Sequence, residues 1–175
     1  HLNRFLYYNP YFLKKEYDFT IRTNISSLIN IPKMIELLSP FQDKEYLYAG
    51  DIVGIERVNT HIKFALGTAI ILSKKLAIKM IYERTKFNLT IEDDVSFGLF
   101  VQQHIPIAYD NTLTLLPHVF YTDRLPNGLN SNTLDFIKFK QNNNLDHIII
   151  YRNKTGNRYN DVKMMRYICD TILLQ

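Results

Sequence analysis

Residues 90–98 read TIEDDVSFG, so three carboxylates in a row, Glu92, Asp93 and Asp94, stand between an apolar Ile91 and an apolar Val95. Adjacent like charges repel, and each resists leaving water. Two arrangements make such a cluster favourable. The first is a helix start, with Thr90 or Asp93 as the cap of a helix over 94–104 and the acids at the positive end of its dipole. That accounts for two acids better than for three, because only the first turn gains. The second is the edge of an active site, where one carboxylate faces a cleft as a general base. A group-transfer enzyme must take a proton from the acceptor hydroxyl as it attacks. An Asp at a helix N-terminus, fixed by backbone N–H groups, is well oriented for this. Its neighbour then holds a hydroxyl, a metal or the base itself. Hydrogen bonds and the dipole favour the ionised form of such a group.

Other residues could carry chemistry. The stretch YRNKTGNR (151–158) sets Arg152, Lys154 and Arg158 around Gly156. It reads as a solvated turn before the last helix or as a phosphate-binding loop. His118, between apolar residues in LLPHVFY, reads as a satisfied core group or as a metal ligand. His61, His104 and His147 show no ligand spacing. The one cysteine, Cys169, excludes an intrachain disulfide and a cysteine-based zinc site. Its setting in MMRYICDTILL predicts a buried core thiol.

These residues need a scaffold. The chain has 175 residues, 46% hydrophobic and 22% charged, which suits one globular domain with a sizeable core. The net charge of +4 favours anionic ligands such as phosphates, but no dense basic patch points to nucleic acid. No run of about 18 apolar residues predicts a membrane span, and no signal peptide is visible. EYDFTIRTN (16–24) predicts a strand ending in a loop. NIPKMIELLSP (30–40) predicts a helix with Ile31, Met34, Ile35, Leu37 and Leu38 on its buried face. EYLYAGDIVG (45–54) reads as a strand closed by glycine, and IKFALGTAIILS (62–73) as a buried segment broken by Gly67. SKKLAIKMIYERTK (73–86) reads as a helix capped by Ser73. IPIAYD, LLPHVFY and DHIIIYR read as strands, with a turn at Asn127-Gly128 between the last two. NDVKMMRYICDTILL (160–174) reads as a closing helix capped by Asn160 or Asp161. Strands alternating with helices imply a single α/β layered domain.

Three of these segments, in this order, resemble the β1,3-glycosyltransferase family of galactosyl-, N-acetylglucosaminyl- and Fringe-type enzymes. EYDFTIRTNISSLINIPKMIELL is similar to its strand–loop–helix, KFALGTAIILSKKLAIKM to its glycine-containing loop, strand and helix, and EDDVSFGLFVQQHIPIAYD to its EDV-x-x-G motif. The likeness covers about residues 16–110. It implies a GT-A-like, Rossmann-like mixed sheet flanked by helices. It further implies inverting transfer of a hexose or N-acetylhexosamine from a UDP-sugar to a hydroxyl on a glycan or glycoprotein. Asp94 would be the base and Asp93 its partner, and Gly67 and Thr68 would line the acceptor or donor cleft. Where the family holds Mn²⁺ with three acids, this chain has Asn24-Ile25-Ser26, and neutral side chains are poor Mn²⁺ ligands. Arg22, Asn24, Ser26, Lys154 and Arg158 would then face the donor diphosphate, since cationic side chains can offset its charge. His118 matches a metal-ligand histidine of many GT-A enzymes.

The family domain has further N-terminal strands that bind the nucleoside. Residues 1–15 leave room for one helix, so a C-terminal portion of that domain is expected. An upstream anchor would place the protein in the Golgi or secretory lumen, and its lack in the cytoplasm. The competing expectation is a catalytically inactive carbohydrate- or protein-binding relic of the fold, for which the replaced acids speak.

Overall fold

A computed structural model describes residues 16–57, 60–121, 137, 141, 144–153 and 157–170. In chain order the elements are β1 (Phe19–Thr23), β2 (Ser27–Ile29), α1 (Ile31–Leu38), β3 (Tyr48–Arg57), β4 (Thr60–Ser73), α2 (Lys74–Tyr82), α3 (Asp93–His104), α4 (Pro106–Asp110), β5 (Leu113–Thr114), β6 (Val119–Tyr121), β7 (Ile150–Arg152) and α5 (Arg158–Ile168). The architecture is mixed α/β, with two mixed sheets flanked by helices where the sequence pattern predicts one. The chain divides into two compact units. The first runs to Thr23 and resumes over Leu38–Leu116, and the second contains Asn24–Leu37 and the residues from Pro117 onward.

The sheet of the first unit has the order β1-β4-β3-β5. Only the β3–β5 pair is parallel. Its long central strand β4 runs through Gly67 without the expected break, and β3 runs on past Gly54 to Arg57. The break is instead a bulge in the pairing. Gly50 lies opposite Ile70, yet Ile52 lies opposite Ala65, so β4 takes five steps where β3 takes two. Bulges bend a strand and re-aim its groups. Gly50 is the residue this demands, because a β-carbon there would stand 2.5 Å from both the Ala69 carbonyl oxygen and the Ala65 β-carbon.

Helix α3 lies against β4, and Gly98 sets how closely. A β-carbon at Gly98 would fall 2.9 Å from the Phe64 α-carbon and closer still to the Lys63 carbonyl oxygen. The core of this unit gathers Tyr48, Ile70, Leu72, Leu76, Met80, Phe97 and Phe100, with Phe87 stacked on Phe100 at 4.3 Å between ring centroids. Each large apolar side chain buried here contributes about 1.5–3 kcal/mol.

Several local expectations are corrected. Ser73 stands at the N-cap position of α2 but makes no cap bond. Its hydroxyl donates to the Glu45 carbonyl and accepts from the Leu47 N–H, satisfying buried main chain instead. IPIAYD is the helix α4, because Pro106 sits in its first turn, where a missing N–H costs nothing.

In the second unit the order is β2-β7-β6. The β2–β7 pair is antiparallel and the β7–β6 pair parallel. Of DHIIIYR only Ile150–Arg152 is strand, after a turn at Asp146 and His147. One face of the sheet joins Leu28, Phe120 and Tyr151 to Ile148, Met164 and Ile168. Helix α5 starts earlier than expected because Asn157, not Asn160 or Asp161, caps it, accepting from the Tyr159 and Asn160 N–H groups. Cys169 is half-buried rather than buried. On α1 only Met34 and Leu38 are buried, four residues apart on one stripe, while Ile31 and Ile35 are 54% and 64% exposed. The Asn127-Gly128 turn lies outside the described residues. Among the described residues no helix is long and apolar enough to cross a membrane.

Candidate functional site

The acidic cluster opens α3, and each carboxylate meets a different partner. Glu92 occupies the N-cap position without a side-chain cap bond, and the helix begins at Asp93 rather than 94. Thr90 does not cap it, because its N–H and hydroxyl both bond the Asn88 side chain. Glu92 is gripped by Arg57 of β3 through bonds of 2.7 and 3.2 Å. The Arg57 guanidinium holds its carboxyl below the usual carboxylate range. Asp93 pairs with Arg22 of β1, both side chains being largely buried at 29% and 16% exposed. Its other oxygen accepts from the Asp94 N–H at 3.1 Å.

Asp94 differs from both. Among the described residues it has no ion-pair partner. One oxygen accepts from the Val95 N–H at 3.0 Å and the other from the Gly67 N–H at 3.3 Å. Gly67 is in the β4 bulge, where the strand has left its β3 ladder, so its N–H can turn to the carboxylate. The neighbouring Thr68 is buried, and its carbonyl accepts from the Thr23 hydroxyl at 2.8 Å, tying the bulge to the end of β1. Asp94 itself is half-buried. A carboxylate held by main-chain N–H groups, with no ion-pair partner and a partly open face, can accept a proton from a bound hydroxyl.

Tyr48 completes this group and carried no signal in the sequence beyond strand alternation. Its ring is fully buried, and its hydroxyl accepts from the Ala65 N–H at 2.8 Å, at the foot of the bulge. Burial pushes its phenol far up, and the nearby Asp94 charge pushes it further, so it keeps its proton. Gly98 did carry a signal, since mid-helix glycine costs about 1 kcal/mol against alanine and marks a close approach.

The other residues singled out are placed as follows. Asn24 accepts the Ser27 N–H on its carbonyl at 3.0 Å, closing the turn before β2. Ser26 is buried and its hydroxyl accepts from Nη1 of Arg152. Arg158 is exposed at the start of α5. Lys154 and Gly156 lie outside the described residues. His118 is half-buried, its Nδ1 2.9 Å from the His147 carbonyl oxygen. His61 contacts Glu56, and the His104 ring lies against Phe100. Thus Arg22, Asp93, Asp94, Gly67 and Thr68 gather in the first unit, while Asn24, Ser26 and His118 belong to the second.

The Mn²⁺ implied by the resemblance can be tested on these residues. Asn24 and Ser26 are neutral, Ile25 is 80% exposed and apolar, and the Ser26 hydroxyl already takes a guanidinium. A positive charge in contact with the turn disfavours a divalent cation, so residues 24–26 do not fit the metal. Among the described residues no group of three His, Cys, Asp or Glu is placed to hold one. Compared with protein-family models the chain matches none, and compared with curated proteins it matches none either.

Proposed function

We propose that the protein is a glycosyltransferase of GT-A type, related to the β1,3-glycosyltransferases, with Asp94 as its general base. The observation that carries this reading is the Asp94 carboxylate. It stands at the start of α3, lacks an ion-pair partner among the described residues, and is held by the Gly67 and Val95 N–H groups. Support also comes from order along the chain. Arg22, Gly67 and Asp93-Asp94 lie in the three segments that carry the resemblance, and they gather in one unit of the fold.

The reaction follows from that carboxylate. An acceptor hydroxyl lies against Asp94 and attacks the anomeric carbon of a hexose or N-acetylhexosamine on UDP. The new bond forms from the acceptor oxygen to that carbon as the bond from the carbon to the phosphate oxygen breaks. The proton passes to Asp94, and UDP leaves with the electron pair of the broken bond. Attack from the face opposite the leaving group inverts the anomeric centre. Asp93 and Arg22, paired beside it, position the base. Its orientation by fixed backbone dipoles requires little rearrangement as the proton moves.

The test is transfer from a panel of UDP-sugars to glycan acceptors, with the product's anomeric configuration read by NMR. Transfer with inversion is expected. Binding of glycans without binding of any UDP-sugar would instead support the inactive relic.

A further inference from the structure

We propose that Asn88 is the attachment site of an N-linked glycan, which the chain receives as an acceptor in the secretory lumen. The inference is independent of the glycosyltransferase reading, since here the chain is the substrate and not the enzyme. Attachment requires Asn-x-Ser or Asn-x-Thr, with x other than proline, on an accessible surface. The sequence holds three such tripeptides, Asn24-Ile25-Ser26, Asn88-Leu89-Thr90 and Asn153-Lys154-Thr155. Asn153 is fully buried, and its Nδ2 donates to the Asp161 carbonyl at 2.7 Å. A sugar on that nitrogen has no room in a close-packed interior, so a chain modified there could not bury the residue. In the first tripeptide Asn24 is half-buried, and the buried Ser26 hydroxyl is taken by Arg152.

The tripeptide at 88–90 differs from both, because Asn88, Leu89 and Thr90 are all exposed. Oδ1 of Asn88 accepts from the Thr90 N–H at 3.0 Å and from the Thr90 hydroxyl at 2.6 Å. Two donors on one atom assign it as the amide oxygen. Nδ2, the atom that takes the sugar, is left without a hydrogen-bond partner among the described residues. The main chain beneath is anchored. The Asn88 carbonyl accepts from the Ser96 hydroxyl at 2.7 Å, and the preceding Phe87 stacks on Phe100 in the core. A glycan on Asn88 therefore stands off a fixed loop and needs no packed side chain to move. In the transfer, Nδ2 bonds the anomeric carbon of an oligosaccharide carried on a lipid diphosphate, as that carbon's bond to the phosphate oxygen breaks. The lipid diphosphate leaves with the electron pair, and the Nδ2 proton passes to a base of the oligosaccharyltransferase.

The experiment is peptide mapping by mass spectrometry of the protein from the cells that make it, after peptide N-glycosidase in heavy-oxygen water. That enzyme turns each glycan-bearing asparagine into a heavy-oxygen aspartate, and a digest without it shows the background from spontaneous deamidation. Label above background is expected at position 88 and not at positions 24 and 153. Thr90→Val keeps the branched shape and the N–H bond to Oδ1 but lacks the hydroxyl, and it should lose the label. Asn88→Gln should lose it too, with a matching gain in electrophoretic mobility. Circular dichroism checks the fold of both variants, and either one alone suffices for the comparison. An unlabelled position 88 in wild type overturns the site, as does label there that persists in Thr90→Val. Label at position 153 in the folded protein overturns the burial argument behind it. Sugar transfer by a chain whose Asn88 is bare would refute the glycan site and leave the glycosyltransferase reading standing, and a glycan on Asn88 of a chain that transfers no sugar would do the reverse.

Discussion

The Gly67 N–H donates to Oδ2 of Asp94 across 3.3 Å, joining a strand bulge to the first turn of a helix 27 residues further on. Two fixed distances underlie that bond. One is the approach of α3 to β4 at Gly98, and the other is the fold of the bulge over Gly50.

Gly98→Ala tests the first. Helix propensity alone predicts that alanine stabilises α3 by about 1 kcal/mol. The close approach predicts the opposite, since the new β-carbon meets backbone of β4 that cannot turn aside. The expected result is a net loss of about 1–3 kcal/mol in urea unfolding. A gain in stability would show that α3 does not lie this close to β4.

Tyr48→Phe tests the second. The phenol oxygen accepts from the buried Ala65 N–H at the foot of the bulge. Its removal leaves that N–H without its partner and should cost about 1–3 kcal/mol. Amide hydrogen exchange should quicken at Ala65 and Gly67 more than in α5. Uniform change across both units would argue against a local role.

Much of the first unit was legible along the chain, because its helices are set by local spacing. The periodic apolar residues of 74–82 mark α2, and Asp93-Asp94 mark the start of α3. Pairings between distant segments were not. Gly67 reads as a break because only the partner strand reveals a bulge, and Tyr48 reads as a plain strand residue because Ala65 lies on another strand. Arg22 and Asp93 are 71 residues apart, and Arg152 and Ser26 are 126 apart. Pro106 misleads because Ile-Pro-Ile suits a strand and a helix start equally. Ile31 and Ile35 mislead because an eight-residue helix can satisfy its packing through Met34 and Leu38 alone.

Tyr151 predicts the alkaline limit of the second unit. Burial pushes its phenol up to about 12. Unfolded, it ionises near pH 10. Its folded pKa is raised, so its contribution is complete below about pH 10 and is lost as pH rises from there toward 12. Two units of difference set an upper bound of roughly 2.7 kcal/mol on the loss. Its hydroxyl has no hydrogen-bond partner among the described residues, so Tyr151→Phe should be neutral or slightly stabilising at pH 7. Urea midpoints at pH 8 and pH 11.5 should then differ less in Tyr151→Phe than in wild type. Equal differences would place the alkaline sensitivity elsewhere.

The most direct measurement is the initial rate of sugar transfer by wild type, Asp94→Asn and Asp93→Asn with a UDP-sugar that wild type uses. Asparagine keeps the shape of Asp94 and its amide oxygen can still accept from the Gly67 N–H, while its NH2 gives up the local Val95 N–H bond and it cannot take the acceptor's proton. The account predicts a fall of about 10²–10⁴-fold for Asp94→Asn, a smaller fall for Asp93→Asn, and unfolding midpoints close to wild type for Asp94→Asn. Transfer by Asp94→Asn at the wild-type rate would contradict it.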